Sequence, residues 1–414
     1  MTHPSRSSDL VLRQKALFHC RLCNCAVTAP ALSLGRLPVC NRFERTADVG
    51  TLADIDVVEC ETCQLIQLCE TPPVDVLAPR LPWIRYREPE GHLDAVADAV
   101  LDLRPQARRA LGTGPFEEPL LARLSARGLS TAALELDIAP AQGRYPYLET
   151  WQAGLNPQRL AATAVRLGTF DLVSCRYIVE HTPAPVQALE ALKHLLSPDG
   201  LLLIEVPDSS KFLAARDYSF LWEEHSCYFV EDSLRRLAET AGFRVRKLLR
   251  YPGVLEDALV AALQVADTPP SETTGRISGS SILFDAYRDH FAPARKLLRQ
   301  RLTAAAGSAR DGVALFGIGH HAIMFANAFD VADMIALAVD DDPDKTGFFP
   351  PGFRVPVVGS QALFENARIT TCLFAVAPHI QAKVQARLAP LAARGVEFRS
   401  IYAALEDSIM KDLA

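Results

Sequence analysis

The sequence lacks a long hydrophobic segment, and it lacks a cluster of basic residues. Although 49% of its 414 residues are hydrophobic, no uninterrupted apolar run approaches the roughly 18 to 20 residues that span a bilayer. The polar start, Met1–Lys15, has no apolar signal-peptide core. A net charge of −6 without a Lys/Arg block argues against nucleic acid as a partner. We therefore predict a cytoplasmic protein that binds neither membranes nor nucleic acid.

The ten cysteines are unevenly distributed, since seven lie between Cys20 and Cys69. Disulfides are rare in a reducing compartment, so this crowding favours a metal site. Two Cys-x-x-Cys pairs are separated by 36 residues, and each pair can place two thiolates on one turn around zinc. The predicted ligands of this structural Zn²⁺ are Cys20, Cys23, Cys60 and Cys63. Reduced core cysteines or a redox pair are the alternatives, and the roles of the remaining cysteines stay open.

The middle of the chain alternates apolar runs with helical periodicity, which is typical of an α/β doubly wound parallel sheet. The predicted strands are Ala107–Leu111, Thr131–Leu136, Phe170–Cys175 and Leu201–Val206. The first strand runs into Gly112 and Gly114, where the absent side chains let the backbone approach a ligand. The second strand ends near Glu135 and Asp137. A carboxylate there can accept hydrogen bonds from ribose hydroxyls, with Asp137 preferred, so an adenosine-containing cofactor is expected.

The segment from Phe170 through His181 continues a buried strand into a loop, and Leu196-Ser-Pro-Asp-Gly200 turns into the next strand. In this order of strands, glycine turn and acidic strand end, the chain resembles a class I S-adenosylmethionine-dependent methyltransferase. The resemblance implies S-adenosylmethionine as cofactor. It also implies that the loop after the Phe170 strand, with Tyr177, borders the methyl donor.

The last part of the chain begins another α/β pattern after a polar linker near Asp267 and a predicted helix from about Ile282 to Ala305. A strand beginning at Val313 runs into a turn with Gly317, Gly319, His320 and His321, and the strand Ile335–Val339 leads to Asp340. This pattern predicts a second nucleotide-binding unit. On the residues alone, NAD is an open possibility for this unit, although the third glycine of the full fingerprint is missing.

The cysteine pairs, the segment Ser33–Phe43, the Glu224-His225 dipeptide and the end of the chain, taken together, look like a sugar C-methyltransferase. The resemblance covers essentially the whole chain. It implies a small zinc-binding domain at 1–80, a methyltransferase domain at 81–266, and a linker helix with a Rossmann-like domain at 267–414. It also implies a nucleotide-linked keto-deoxysugar as substrate. We expect a monomer or a weak dimer.

The segment Phe220–Phe229 supplies the chemistry that this reaction needs. A carbon beside a ketone becomes a nucleophile when a base removes its proton, and a histidine suits that task near neutral pH. We predict His225 as the base and Glu224 as a group that orients it or contacts the substrate. Tyr228 or His181 is the expected donor to the enolate oxygen. Trp222 and the residues of the second glycine turn, Gly317, Gly319, His320 and His321, are expected to line the substrate site.

The chain departs from the sugar C-methyltransferases at three places: Gly112–Glu118 carries a different glycine turn, Trp222 stands where a tyrosine is usual, and His320-His321 replaces a small residue and a lysine. Two alternatives therefore stay open. An O- or N-methyltransferase would use the same base on a hydroxyl or an amine. A non-catalytic nucleotide-binding scaffold would not bind S-adenosylmethionine at all, and His225 would then be an ordinary buried histidine.

Overall fold

The computed structural model describes residues 18–47, 50–81, 88–134, 151–152, 154–267, 282–306 and 312–411. Within these ranges, no helix combines the length and the apolar character needed to cross a membrane. The first part of the chain forms small antiparallel strands and one short helix: β1 (Phe18–His19), β2 (Ala26–Val27), β3 (Leu32–Pro38), β4 (Leu52–Glu59), β5 (Ile66–Leu68) and α1 (Val74–Leu77).

The middle part alternates helices and strands. Its elements are α2 (Leu93–Leu103), β6 (Arg109–Gly112), α3 (Glu118–Ala126), β7 (Ser130–Ala133), α4 (Pro157–Leu167), β8 (Phe170–Arg176), α5 (Pro185–Leu192), β9 (Leu196–Asp208), α6 (Ser210–Ala215), β10 (Cys227–Tyr228), α7 (Glu231–Thr240), β11 (Phe243–Tyr251) and β12 (Asp257–Val265). The four strands predicted from the apolar runs are confirmed as β6, β7, β8 and β9, with ends that differ by up to five residues.

Six of these strands form one sheet in the order β11-β12-β9-β8-β6-β7. β6 pairs in parallel with both β7 and β8, and β9 extends the parallel set, while β12 runs antiparallel between β9 and β11. The chain passes from β6 to β7 on one side and returns to β8 on the other. The carboxyl ends of β6 and β8 therefore flank a switch point, where open α/β sheets bind ligands. This is the doubly wound sheet that the alternation of apolar runs and helical segments predicts.

The last part forms a Rossmann-like α/β unit. Its elements are α8 (Ile282–Ala306), β13 (Val313–Phe316), α9 (His320–Ala328), β14 (Ile335–Val339), β15 (Val357–Val358), α10 (Gln361–Glu365), β16 (Thr371–Phe374), α11 (Pro378–Arg387), α12 (Ala389–Ala393) and β17 (Glu397–Ser400). All its strands are parallel, in the order β15-β14-β13-β16-β17. The predicted long helix and both predicted strands of this unit are confirmed.

The three parts share one junction. β10 comes from the middle part but joins the N-terminal strands in a sheet of order β10-β5-β4-β3, with Cys227 opposite Gln67 and Tyr228 opposite Ile66. One buried apolar cluster contains Leu34 of the first part, Trp222 of the middle part and Ile323 of the last. Because burial of apolar area is the main driving force for association, this common core fixes the parts against one another.

Candidate active site

The four predicted zinc ligands converge, and we call Cys20, Cys23, Cys60 and Cys63 the cysteine cluster. All four Sγ atoms lie within 4.8 Å of one another, with Cys20 to Cys63 at 3.4 Å and Cys23 to Cys60 at 3.5 Å. Tetrahedral coordination with zinc–sulfur bonds of about 2.3 Å needs sulfurs at about this spacing. The donor set therefore fits a structural Zn²⁺ that is closed to substrate.

Both turns of the cysteine cluster have the same local geometry. In the first turn, the amide of Asn24 donates to the Cys20 carbonyl at 2.9 Å, and in the second, the amide of Gln64 donates to the Cys60 carbonyl at 2.8 Å. Asn24 and Gln64 both have positive φ, 57° and 61°. This left-handed residue after each Cys-x-x-Cys pair reverses the chain, so that both sulfurs of a pair point inward.

The cysteine cluster is connected to the middle part through Gln67. The Gln67 side chain donates to Cys20 Sγ at 3.2 Å and accepts from the Arg21 amide at 3.0 Å, while its backbone pairs with Cys227. An amide donor to a thiolate ligand orients it and tunes its charge. The pairing of β5 with β10 thus joins the metal site to the segment that contains His225.

The glycine turn after β6 is tightly packed. A Cβ added at Gly112 would lie 2.4 Å from Glu117 Cβ, and one added at Gly114 would lie 2.4 Å from Ile178 Cδ1. Burial raises the pKa of Glu117 to about 7, against the opposing charge of Arg176. The two glycines are therefore required by the approach of this chain's own side chains to the end of β6.

Two buried carboxylate oxygens at this edge of the sheet, Glu117 Oε2 and Glu180 Oε2, have no hydrogen-bond partner among the described residues. Burial also raises the pKa of Glu180 well above its usual range. Buried acceptors of this kind suit a cationic ligand, because a nearby positive charge favours the ionised carboxylate. S-adenosylmethionine carries such charge on its sulfonium and its ammonium, so the residues present fit this cofactor.

A buried ion pair joins the end of β8 to β9. Arg176 Nε lies 2.5 Å from Glu205 Oε2, and His92 Nε2 lies 2.7 Å from Glu205 Oε1. Tyr177, which follows Arg176, has a φ of 53°, and its amide donates to the Glu205 carbonyl at 2.8 Å. Left-handed backbone at a non-glycine residue often marks a functional loop. Glu135 and Asp137, the predicted ribose ligands, lie outside the described residues.

The residues Glu223, Glu224, His225 and His181 form what we call the His–Glu cluster, and all three parts of the chain contribute to its surroundings. The Cys40 amide of the first part donates to Glu223 Oε1 at 2.6 Å, and Asn41 Nδ2 donates to Glu224 Oε1 at 3.2 Å. From the last part, His320 Nε2 lies 3.5 Å from Glu224 Oε1. Both carboxylates are buried, so these contacts satisfy charges that have no access to water.

His225 packs against His181 with ring centroids 4.5 Å apart in a T-shaped arrangement. Burial lowers the pKa of His225 well below its usual value, and the neighbouring histidines His181, His320 and His321 lower it further. Burial likewise lowers the pKa of His181 to about 4. Both imidazoles are therefore neutral near pH 7, which is the state that can accept a proton.

The pKa of His320 is shifted in the opposite direction from those of His225 and His181. Burial opposes its ionisation, but the carboxylates of Glu224 and Glu223 outweigh burial and raise its pKa. It lies in the first turn of α9, whose N-terminus carries partial positive charge. This end of α9 thus presents positive potential to the His–Glu cluster, where an anionic substrate or transition state would be stabilised.

The prediction that Tyr228 donates to a substrate oxygen requires a correction. Its hydroxyl accepts from the Trp222 amide and donates to the Trp222 carbonyl, both at 3.1 Å. Because a phenol has one proton, that proton is already used. In this structure the Tyr228 hydroxyl holds the Trp222 backbone in place. Among the predicted donors to a substrate oxygen, His181 keeps its position in the cluster.

The second glycine turn lies beside the same site. The Trp222 ring packs edge-on against His321 and at a tilt against His320, with ring centroids 5.1 and 5.8 Å apart. Gly317 needs to be glycine, because its φ is 92° and a Cβ would lie 2.4 Å from Val376 Cγ1. No contact limits a Cβ at Gly319.

Asp340, at the end of β14, is engaged within the protein. Its Oδ2 accepts from the Ile318 amide at 2.9 Å and pairs with Lys345 Nζ at 2.7 Å. A dinucleotide would need this carboxylate for its ribose, so the arrangement does not favour NAD.

Sequence reasoning missed the two residues that connect the cysteine cluster to His181. Ser226 donates to the His181 carbonyl at 3.0 Å and contacts Thr71 Oγ1 at 3.2 Å, and Arg21 donates to Thr71 at 2.9 Å. Serine and threonine are common in every loop, so no sequence signal identifies this chain of contacts.

Comparisons with known proteins agree with this architecture. Models of three families match the chain: a zinc binding domain at residues 20–77, a methyltransferase domain at 82–248, and a C-methyltransferase C-terminal domain at 261–401. Among curated proteins, the C-methyltransferase NovU of Streptomyces niveus is 28% identical over 55% of this chain and 56% of its own length.

Two further proteins are similar over shorter regions. A ubiquinone biosynthesis O-methyltransferase of Psychrobacter cryohalolentis is 25% identical over 30% of this chain and 51% of its own length. The chain thus spans about half the length of both curated relatives. The solved 1,6-didemethyltoxoflavin-N1-methyltransferase of Burkholderia thailandensis superposes on 43% of this chain and 80% of its own, with a TM-score of 0.30 and 18% identity.

The three matches follow one another along the chain in the order of the zinc cluster, the doubly wound sheet and the Rossmann-like unit. The chain therefore contains a region that matches each of three domains: a zinc binding domain, a methyltransferase domain and a C-methyltransferase C-terminal domain.

Proposed function

We propose that this chain methylates a carbon of a nucleotide-linked keto-deoxysugar. The observation that carries the proposal is the neutral, buried imidazole of His225, packed on His181 and next to two carboxylates and the positive end of α9. A sugar phosphate anion and a developing enolate would both be stabilised there. We also propose that the protein is cytoplasmic, that it is a monomer or weak dimer, and that its domains are 1–80, 81–266 and 267–414.

The proposed reaction has two steps at the substrate. His225 takes the proton from the carbon beside the ketone, and the electrons of that C–H bond form the enolate. The enolate carbon is then the nucleophile for the methyl group that bound S-adenosylmethionine would supply, with the electrons of the C–S bond returning to sulfur. Bound S-adenosylmethionine supplies the electrophilic methyl group on a positively charged sulfur.

The residues around His225 have separate proposed roles. Burial disfavours an isolated imidazolium, but this cation forms together with the enolate, so the two charges offset each other. Glu224 raises the pKa of His320 and so favours its protonated form at the end of α9 that is proposed to face the substrate. His181 is proposed to contact the enolate oxygen. Gly317, Gly319 and His321 are proposed to line the part of the site that binds the nucleotide. Tyr177, Gly112 and Gly114, with Asp137 or Glu135, are proposed to hold the donor.

The decisive experiment locates the new methyl group. Purified protein is incubated with ¹³C-methyl S-adenosylmethionine and a thymidine diphosphate keto-deoxysugar, and the product is examined by NMR. A methyl carbon coupled to a ring carbon supports the proposal. A methyl resonance typical of an ether or an amine would instead establish O- or N-methylation, the alternative represented by the O-methyltransferase relative.

Calorimetric titration with S-adenosylmethionine and S-adenosylhomocysteine distinguishes the third possibility, a non-catalytic protein. We expect micromolar binding that the Asp137→Ala substitution abolishes. Absence of binding to the unsubstituted protein would mean that the packed Gly112–Glu118 turn no longer accepts the donor. The methyltransferase proposal would then fail.

A further inference from the structure

Trp222 carries a buried hydrogen-bond donor that the protein itself does not use. The side chain is 8% exposed, and its Nε1 has no hydrogen-bond partner among the described residues. Buried indole N–H groups usually find an acceptor, because leaving one unsatisfied costs folding free energy. An unused donor beside a candidate base is therefore a place where a ligand acceptor is expected.

The indole is held rigidly in this position. Both backbone polar groups of Trp222 bond to the Tyr228 hydroxyl, which fixes the backbone from which the indole projects. The ring lies 4.5 Å from the His225 ring, measured between centroids, and edge-on to His321 at 5.1 Å. The donor thus has a fixed relation to the imidazole that is proposed to remove the proton.

We propose that Trp222 Nε1–H donates a hydrogen bond to the ketone oxygen of the acceptor, the atom that becomes the enolate oxygen. This inference rests on the proposed function. Trp222 stands where a tyrosine is usual in the sugar C-methyltransferases that the chain resembles, so an indole occupies the place of a phenol.

The exchange of phenol for indole has a chemical consequence. An indole N–H donates a hydrogen bond but keeps its proton at any physiological pH, and it has no acceptor lone pair. It therefore stabilises negative charge on the enolate oxygen without protonating it. The electron density stays available at carbon, where the methyl group is to be transferred.

The test compares Trp222→Phe with Trp222→Tyr in the full-length protein. Phenylalanine keeps an aromatic ring against His225 but removes the donor, whereas tyrosine keeps both a ring and a donor. We expect Trp222→Phe to lower kcat about 100-fold, the effect of losing one donor to a developing oxyanion. Its KM for S-adenosylmethionine and its melting temperature should stay near those of the unsubstituted protein. Trp222→Tyr should recover at least tenfold of the loss.

A binding measurement reports on the same contact without turnover. In protein labelled with ¹⁵N-tryptophan, the Trp222 indole resonance is assigned by its loss in Trp222→Phe. It should move downfield when a thymidine diphosphate keto-deoxysugar is added with S-adenosylhomocysteine, and it should not move with thymidine diphosphate alone.

The outcomes separate this inference from the proposed function. If the keto-sugar is methylated at carbon but Trp222→Phe turns over like the unsubstituted protein and the resonance stays in place, the inference is wrong and the function stands. If the keto-sugar neither binds nor is methylated, both are wrong.

Discussion

The cysteine cluster and the His–Glu cluster are both buried groups of ionisable side chains, but they are assembled differently. The cysteine cluster comes from two local turns of the same shape, each of which presents its sulfurs independently of the rest of the fold. The His–Glu cluster depends on contacts such as Cys40 to Glu223, which join residues 183 apart in sequence. A locally encoded site can be identified from spacing, whereas a site made by docking of domains requires the fold.

The difference also concerns how charge is compensated. Four thiolates are compensated by a metal ion, so their stability is linked to zinc binding. The carboxylates of the His–Glu cluster are compensated by amides and by His320, all of which belong to the protein. The first site is therefore expected to govern folding and the second to govern chemistry.

The largest effect is expected from Cys60→Ser, which removes one ligand of the cysteine cluster. Structural zinc contributes an apparent free energy of about 10–16 kcal/mol at neutral pH, so loss of one ligand should release the ion and unfold the N-terminal part. Metal analysis and thermal unfolding measure both effects. Cys25→Ser is the matched control, because Cys25 lies outside the cluster, and it should keep its zinc. Unchanged zinc content in Cys60→Ser would contradict the assignment.

His225→Asn is the corresponding change in the His–Glu cluster. Removal of a general base should lower kcat by about 10²–10⁴-fold, while zinc content and melting temperature stay nearly constant. Methyl transfer to the keto-sugar is followed by S-adenosylhomocysteine release. The exposed His379 provides a matched control, and His379→Asn should leave kcat unchanged. Equal losses of stability and activity in His225→Asn would indicate a packing role instead.

Glu205→Gln tests the buried ion pair that supports the donor crevice. Removing one partner leaves the Arg176 guanidinium with less compensation in a site closed to water, which should cost about 3 kcal/mol of unfolding free energy. Urea denaturation measures this cost. The exposed carboxylate of Asp94, which pairs with Arg123 and Arg127, is the control, and Asp94→Asn should change the free energy of unfolding far less than Glu205→Gln. A cost as small for Glu205→Gln would mean that water reaches the pair.

The smallest expected effect is the pH dependence of stability that arises from the buried histidines. Burial lowers the pKa of His181 and of His321 to about 4. At these two histidines the unfolded chain binds more protons than the folded chain between about pH 6.5 and 4. Their contribution to stability should therefore fall as the pH falls through that window, whereas the buried carboxyls of Glu117 and Glu180, whose pKa values are raised, contribute with the opposite sign.

His321→Asn separates this effect from acid release of zinc. The ring nitrogen Nδ1 of His321 lies 3.1 Å from the Ser219 carbonyl, and an asparagine amide can keep this contact without titrating. As the pH falls from 6.5 to 4, the stability of His321→Asn should increase relative to that of the unsubstituted protein, because the unfavourable contribution of His321 is removed. The same pH dependence in both proteins would show that His321 is not a group that titrates.

The sequence was sufficient for the features that depend on local pattern. Spacing identified the cysteine cluster, and apolar runs located β6, β8 and β9, because strand formation at the centre of a parallel sheet requires continuous hydrophobic residues. Residue type also drew attention to His225 and Glu224. Their partners Asn41 and His320 belong to other domains, and their contacts depend on how the domains dock.

The errors have physical reasons as well. Tyr228 was predicted as a substrate donor because a phenol near a histidine is chemically plausible, yet its hydroxyl is used by the backbone of the turn six residues earlier. The unsatisfied N–H of Trp222 could not be predicted either, since it is defined by the absence of a neighbour. Both features depend on side-chain directions that the sequence pattern does not contain.

The central claim is that His225 removes a proton from the carbon that is methylated. The most direct test is exchange of that proton in D₂O, followed by NMR of a thymidine diphosphate keto-deoxysugar with S-adenosylhomocysteine in place of the donor. We predict that the unsubstituted protein exchanges the proton, and that His225→Asn does so at least 100-fold more slowly, as expected for loss of a general base. Equal exchange rates in the two proteins would contradict the claim.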